Sequence, residues 1–204
     1  MYQFTVSMAM MDFVPVVFFG VTAVLLLRDL YRPMGKGAYV LLAAGCVNVF
    51  TAGFLKALWK LLYAANICDF TALEEMFLPV NSMGLMMVGL GMICLFLPKK
   101  RVSLAVAPPV FGGSMVFIMM MVIGLGGLCA SLSAIAVKMK KKPVMILFIL
   151  SFLAAMAMGY MSSHDGTLAW VNWAEQSINT VSQLCLMLGV IILHKNGLAE
   201  KVAA

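Results

Sequence analysis

The sequence predicts an all-α polytopic membrane protein with seven transmembrane helices, arranged as a 3+1+3 parallel repeat. Hydrophobic residues make up 64% of the 204 residues and charged residues only 11%, with a mean hydropathy of +1.05. A soluble domain carries about 25% charged residues. The apolar residues form long runs, and the basic residues lie in short clusters between them. We therefore interpret residues 1–204 as a single integral membrane domain, with three-helix units at 1–98 and 114–204 and a linker span at 99–113.

Six apolar runs reach or approach the roughly 20 helical residues that a bilayer core requires. They lie at about 13–27, 38–63, 76–97, 114–137, 143–161 and 168–193. The first run has no basic region before it and no small-residue cleavage site after it, so we expect a retained span. The five cysteines are dispersed, and most of them lie within apolar runs, which argues against a structural disulfide.

Residues 102–113 decide between six and seven spans. With six spans the basic clusters divide evenly between the two sides of the membrane and give no orientation. If residues 102–113 cross, the clusters share one side and most acidic residues lie near the other, which the positive-inside rule favours. The expected location is the plasma (inner) membrane, multi-pass, with the N-terminus outside and the C-terminus cytoplasmic. Because the segment is short and contains Pro108-Pro109, the alternative is six helices plus a re-entrant segment.

The two three-helix units share one layout. Each has an apolar helix, a basic turn, a second apolar helix, an acidic turn and a third helix with amides in its outer half; Asp69 corresponds to Asp165, and Asn81 to Asn179. Both units run the same way, so an odd linker helix is required. This layout resembles that of the sugar-transporting SWEET and vitamin-transporting PnuC families in span count and charge pattern, without a shared sequence motif. The resemblance concerns fold and does not assign a function.

Four amide side chains form a stripe, here called the amide row, on the last predicted helix. Asn172, Gln176, Asn179 and Gln183 fall at i, i+4, i+7 and i+11, and Glu175 lies beside them. Polar groups inside a membrane normally face the bundle interior or water. We therefore expect the amide row and Glu175 to line a ligand-binding cavity. The alternative is that the amides only hold neighbouring helices together by hydrogen bonds.

The outer end of the second predicted helix carries a second polar face. Lys56, Trp59 and Lys60 lie at i, i+3 and i+4. In the simplest interpretation both lysines reach the headgroups and Trp59 joins the interfacial aromatic belt. In the more specific one, Lys56 pairs with Glu175 or binds an anionic group of the ligand, and Trp59 contributes to the same site.

Further candidates are expected near the same side of the membrane. Asn81 and Trp173 complete the predicted ligand-binding set, although an interfacial position explains Trp173 equally simply. The candidates for proton or charge coupling are Glu175, Asp12, Asp165 and His164. With only two histidines, at opposite sides, we expect no multi-histidine metal site.

These features predict a small membrane protein that binds and transports a small polar or amphipathic molecule through an outward-facing cavity. The alternatives are a ligand sensor or accessory subunit without transport and, third, a membrane enzyme acting near the outer face. No nucleophile elbow, phosphate-binding loop or dinucleotide fingerprint occurs, so we expect no catalytic residue and no cofactor. The expected partners are the lipid bilayer and a small-molecule ligand, not nucleic acid. A homo-oligomer could form through the small-residue face Gly126/Ala130 and Gly127/Ser131.

Overall fold

The computed structural model describes residues 5–97, 114–161 and 169–203, and all regular secondary structure in these ranges is helical. The first part of the chain forms α1 (Val6–Met11), α2 (Phe13–Leu30), α3 (Lys36–Ala64), α4 (Ala72–Glu75) and α5 (Phe77–Ile93), the last continued by a 3-10 turn, Cys94–Phe96. The second part forms α6 (Ser114–Lys138), α7 (Val144–Met161), α8 (Ala169–Lys195) and α9 (Leu198–Ala203).

Six helical segments in these ranges are long and apolar enough to cross a membrane. They are Val6–Leu30, Lys36–Ala64, Ala72–Phe96, Ser114–Lys138, Val144–Met161 and Trp170–Lys195. The all-helical architecture predicted from the sequence is thus confirmed in the described residues, and it is compatible with a multi-pass membrane protein. The span predicted for residues 102–113 lies outside the described residues.

Local sequence signals account for several helix ends. The hydroxyl of Thr5 caps α1 by accepting a hydrogen bond from the backbone N–H of Met8 at 3.3 Å. After α3, Asn66 takes a left-handed conformation with φ 54°, and the N–H of Ile67 returns to the carbonyl of Leu62. Lys140 takes the same conformation after α6, with φ 58°. Asparagine tolerates this geometry, whereas lysine adopts it at a cost.

The long helices form a ring in chain order. Helix α3 packs between α2 and α5, α6 lies beside α5, α7 packs between α6 and α8, and α8 closes the ring against α2. Helices α2 and α3 are antiparallel, since Phe13 packs edge-to-face against Phe54 while Tyr31 contacts Tyr39 at the other end. Gly45 of α3 lies directly on α5, where an added Cβ would approach the carbonyl oxygen of Gly84 to 2.7 Å.

Helices α5 and α6, in contrast, run parallel. Asn81 contacts Met121, the backbones of Gly89 and Gly124 touch, and Lys138 lies over the ring of Phe96, so positions along both helices increase together. Consequently α5 ends and α6 begins at opposite ends of the bundle. Helices α2 and α8 also run parallel, because their C-terminal ends meet through their side chains.

Charged side chains separate to the two ends of the ring. We call one the acidic end; it carries Asp12, Asp69, Glu74, Glu75 and Glu175, together with Lys56 and Lys60. We call the other the basic end; its basic residues are Arg28, Arg32, Lys36, Lys138, Lys140, Lys141, Lys142, Lys195 and Lys201, and it also holds Asp29, His194 and Glu200.

The large apolar cluster of the described residues lies mainly in the half of the bundle nearer the basic end, although apolar residues such as Ala57, Trp59 and Val171 are also buried nearer the acidic end. In α3 the core residues extend only from Leu42 to Val49, although the helix continues to Ala64. In α8 they begin at Leu186, more than halfway along the helix. We call the half nearer the acidic end the acidic half. It contains most of the buried charged and amide side chains of the described residues: Asp12, Lys60, Asn81, Asn172 and Gln176.

Candidate ligand site

The amide row faces the interior of the ring. Asn172 and Gln176 are each only 5% exposed, and Asn179 and Gln183 are half-buried. Trp173, which lies about a quarter turn around α8 from the row, is 40% exposed. Helical periodicity therefore directs the row inward, and it places Trp173 on the outer surface, away from the row.

Two amides of the row have unpaired polar atoms. Among the described residues, Nε2 of Gln176 and Oε1 of Gln183 are buried and have no hydrogen-bond partner. Each such group costs about 1–3 kcal/mol when it is left unsatisfied. Ser182, in contrast, donates a hydrogen bond to the backbone carbonyl of Ser151 in α7 at 2.8 Å. Hydrogen bonding from α8 to α7 is thus provided by a serine beside the row.

Lys60 and Asp12 form a buried ion pair in the acidic half. Nζ of Lys60 lies 2.9 Å from Oδ2 of Asp12, and both side chains are 10% exposed. Asp12 sits at the junction of α1 and α2, and Lys60 lies one turn before the end of α3. The pair therefore fixes the junction of α1 and α2 to α3, and it engages the carboxylate that the sequence suggested for charge coupling.

Lys56 lies one turn deeper than Lys60 and has a different environment. It is half-buried, with Nζ 4.1 Å from the centroid of the Phe77 ring, within the range of a cation–π contact. Of the carboxylates in the described ranges, none lies within ion-pair distance of Lys56. Lys56 and Glu175 are therefore not joined by an ion pair in this structure.

Trp59 is fully packed and anchors the chain after α3. Its ring is 1% exposed, and its Nε1 donates a hydrogen bond to Oδ1 of Asp69 at 3.2 Å. Tyr63 lies beside it, with ring centroids 6.0 Å apart. The indole of Trp59 therefore stabilises the turn after α3, and contacts with other parts of the protein bury its surface.

Asn81 lies at the seam between α5 and α6. It is 7% exposed, and its amide approaches the sulfur of Met121 at 4.0 Å, a weak contact. Glu175 is half-buried at the edge of the amide row. Two other predicted candidates, His164 and Asp165, lie outside the described residues.

A second buried pair, which the sequence analysis did not predict, joins the basic ends of α2 and α8. Nδ1 of His194 lies 2.8 Å from Oδ2 of Asp29 and 3.0 Å from Oδ1. This pair could be predicted only with knowledge of the helix topology. Both residues lie within two positions of the C-terminal end of their helix, and α2 runs parallel to α8. Within the described ranges, no three His, Cys, Asp or Glu side chains lie close enough together to hold a metal ion.

The small residues of α6 pack within the chain. Gly127 lies against Gly89 and Ile93 of α5, Gly126 faces the ring of Phe152 in α7, and Ser131 is buried. These contacts occupy much of the face from which we predicted a homo-oligomer. The oligomer itself stays a prediction.

Comparison with known proteins does not assign a family. No family model matches the sequence, and neither curated proteins nor solved structures give a significant match.

Proposed function

We propose that the chain is a multi-pass membrane transporter that binds a small polar or amphipathic molecule in the acidic half. One observation carries this proposal: most of the buried amide and charged side chains of the described residues lie in one half of the ring, whereas the large apolar cluster lies mainly in the other. Buried polar groups inside a membrane bundle are costly unless they are paired or face water, so their concentration in one half favours a polar site there.

The unpaired amide atoms support a site that accepts a ligand or water. Gln176 points inward and is buried, yet its Nε2 has no partner among the described residues. A helix–helix contact would satisfy this donor, as Ser182 is satisfied by Ser151. A polar ligand that accepts a hydrogen bond from Gln176 would recover the free energy lost by leaving the donor unpaired.

We further propose seven crossings, with the two three-helix units in parallel orientation. Leu97 follows the end of α5 at the basic end, and Ser114 starts α6 at the acidic end, so residues 98–113 have to connect opposite ends. A 16-residue segment covers about 24 Å as a helix and about 53 Å when extended. Under the positive-inside rule the basic end is then cytoplasmic, and the N-terminus and the ligand site face outward in the plasma membrane.

The topology proposal can be tested by single-cysteine labelling in a cysteine-free background. Cysteines at Leu97 and Ser114 should react with an impermeant maleimide from opposite sides of sealed vesicles. A cysteine at Lys141 should report the same side as Leu97, because both positions lie at the basic end. Labelling of Leu97 and Ser114 from the same side would contradict seven crossings.

Transport can be tested by flux into proteoliposomes. A defined mixture of amino acids, betaines, sugars and nucleosides is supplied outside, and the accumulated species are identified by mass spectrometry. We expect at least one species to enter, and Gln176→Leu to abolish its entry while Ser177→Leu, on the exposed side of the same helix, retains it. No entry above empty liposomes would contradict transport. Binding without entry would favour the ligand sensor instead.

A further inference from the structure

A small cleft opens at the basic end, where the 3-10 turn after α5, the last turns of α6 and the short helix α9 meet. Two lysines, Lys138 and Lys201, line it together with apolar side chains that include Phe96, Ile135 and Met139. Ile135 and Met139 belong to the buried apolar cluster, whereas Phe96 and both lysines are exposed. The cleft therefore combines a buried apolar lining with an exposed cationic edge.

The cleft lies where two of the long apolar segments end. Phe96 is the last residue of the segment that begins at Ala72, and Lys138 is the last residue of the segment that begins at Ser114. Helices α5 and α6 run parallel, so both segments end on the same side of the bundle. With these segments across a bilayer, the cleft lies at the level of the lipid headgroups.

The charge at the cleft is positive. Nζ of Lys138 lies 5.4 Å from the centroid of the Phe96 ring, and of the carboxylates in the part of the chain that the structure describes, none lies within ion-pair distance of Lys138 or Lys201. Asp29, at the same end, is already paired with His194, and Glu200 is not among the residues that line the cleft.

A simpler explanation accounts for each lysine separately. Lys138 lies in the last turn of α6 and Lys201 in the last turn of α9. A cation is favourable there because the last carbonyl groups of a helix carry partial negative charge. This effect does not require the two lysines to line the same cleft, so their meeting beside an exposed aromatic ring is the observation that points to a ligand.

The size of the cleft limits what that ligand can be. Its volume is about 40 Å³, whereas pockets that enclose a soluble ligand of ordinary size have about 300–1,000 Å³. The cleft can therefore hold only one group of a larger molecule. A phospholipid meets this condition, because its acyl chains remain in the bilayer while one headgroup is held. Two lysines also favour a headgroup with net negative charge over a zwitterionic one, whose cationic group they repel.

We propose that this cleft binds the phosphate of an anionic phospholipid, with Lys138 and Lys201 on the phosphate oxygens and the apolar lining against the adjoining part of the lipid. Inorganic phosphate shares the charged contact but not the apolar one, so the lipid is the favoured source. The inference requires the membrane crossing described above. It is independent of the ligand site in the acidic half and of transport.

The inference can be tested by native mass spectrometry of the full chain in detergent, titrated with phosphatidylglycerol or phosphatidylcholine of matched acyl chains. Phosphatidylglycerol should bind about tenfold or more tightly, since each lysine near an anionic headgroup contributes about a fivefold factor in affinity. Inorganic phosphate in large excess should not displace it. Equal affinities for the two lipids would overturn the inference. Displacement by phosphate would also overturn it, in favour of a site for soluble anions.

Charge-matched variants separate the cleft from general attraction by the basic end. Lys138→Gln and Lys201→Gln should each weaken phosphatidylglycerol binding about fivefold and leave phosphatidylcholine binding unchanged, which shows that the protein is intact. Lys36→Gln and Lys142→Gln remove the same charge from exposed positions at the same end that do not line the cleft, and each should change the affinity less than about twofold. Equal losses for all four variants would overturn a site at the cleft.

Discussion

His194 of α8 and Asp29 of α2 join these two helices at the basic end. Nδ1 of His194 lies 2.8 Å and 3.0 Å from the two carboxylate oxygens of Asp29. Asp29 is 6% exposed, whereas the histidine side chain is 29% exposed. The contact connects the last turn of α2 with the last turn of α8. It therefore closes the ring between the first and last long helices of the chain.

Removing the histidine should destabilise the protein more than neutralising the aspartate. His194→Ala leaves a buried carboxylate without its partner and should lower the free energy of unfolding by about 1–3 kcal/mol, whereas Asp29→Asn retains a hydrogen bond and should cost less. Thermal unfolding in detergent measures both. Lys195→Ala, exposed and next in sequence, is the control and should change little. Equal losses for all three variants would contradict a specific role for the pair.

The ion pair between Asp12 and Lys60 should show strong coupling. Lys60→Met or Asp12→Leu alone leaves one buried charge without its partner and should cost about 3–5 kcal/mol. The double variant removes both charges and should cost less than the sum of the two single variants. Chemical unfolding of the four proteins gives the coupling energy. Additive losses would show that the two charges do not stabilise each other.

The seam between α5 and α6 should tolerate no side chain at Gly124. An added Cβ would fall on the backbone of Leu85 and Met86, which cannot rotate away, so Gly124→Ala should cost about 1–3 kcal/mol. Gly159→Ala in α7 is the matched control, since nothing lies within 4 Å of its Cβ position, and a helical alanine should stabilise by up to about 1 kcal/mol. Thermal unfolding of the two variants measures these effects. Similar effects at Gly124 and Gly159 would contradict close backbone packing between α5 and α6 at Gly124.

The left-handed residue after α6 offers a stabilising change. Lys140 has φ 58°, a conformation that glycine adopts without steric cost, so Lys140→Gly should raise the free energy of unfolding by about 0.5–1 kcal/mol. Lys142→Gly removes the same charge from the same turn without relieving a positive φ and should not stabilise. Stabilisation by both variants would point to charge repulsion within the basic turn instead.

Features that depend on one helix at a time could be predicted from the sequence. The apolar runs identified the six long helices, because hydrophobic length alone decides whether a segment can cross a bilayer. The spacing of Asn172 and Gln176 also indicated that they share a face, and that face is buried in the bundle. The ligand and its transport stay predictions.

Contacts between helices could not be predicted in the same way. Lys60 rather than Lys56 reaches a carboxylate, because Asp12 lies at the level of the last turn of α3. Likewise, Trp59 was expected near the site, but Asp69 in the following loop holds its indole. Periodicity gives the side of a helix on which a residue lies, whereas these pairings depend on the rotation and offset of neighbouring helices.

If the chain transports a solute as proposed, the apolar packing near the basic end determines which step of the cycle is energetically demanding. A solute could leave at that end only if close-packed residues such as Leu128, Leu132 and Leu193 separated and met water. Exposing one such side chain costs about 1.5–3 kcal/mol. Release at the basic end would then require these packed residues to separate, and the binding energy of the solute would have to favour the opened state over the resting one.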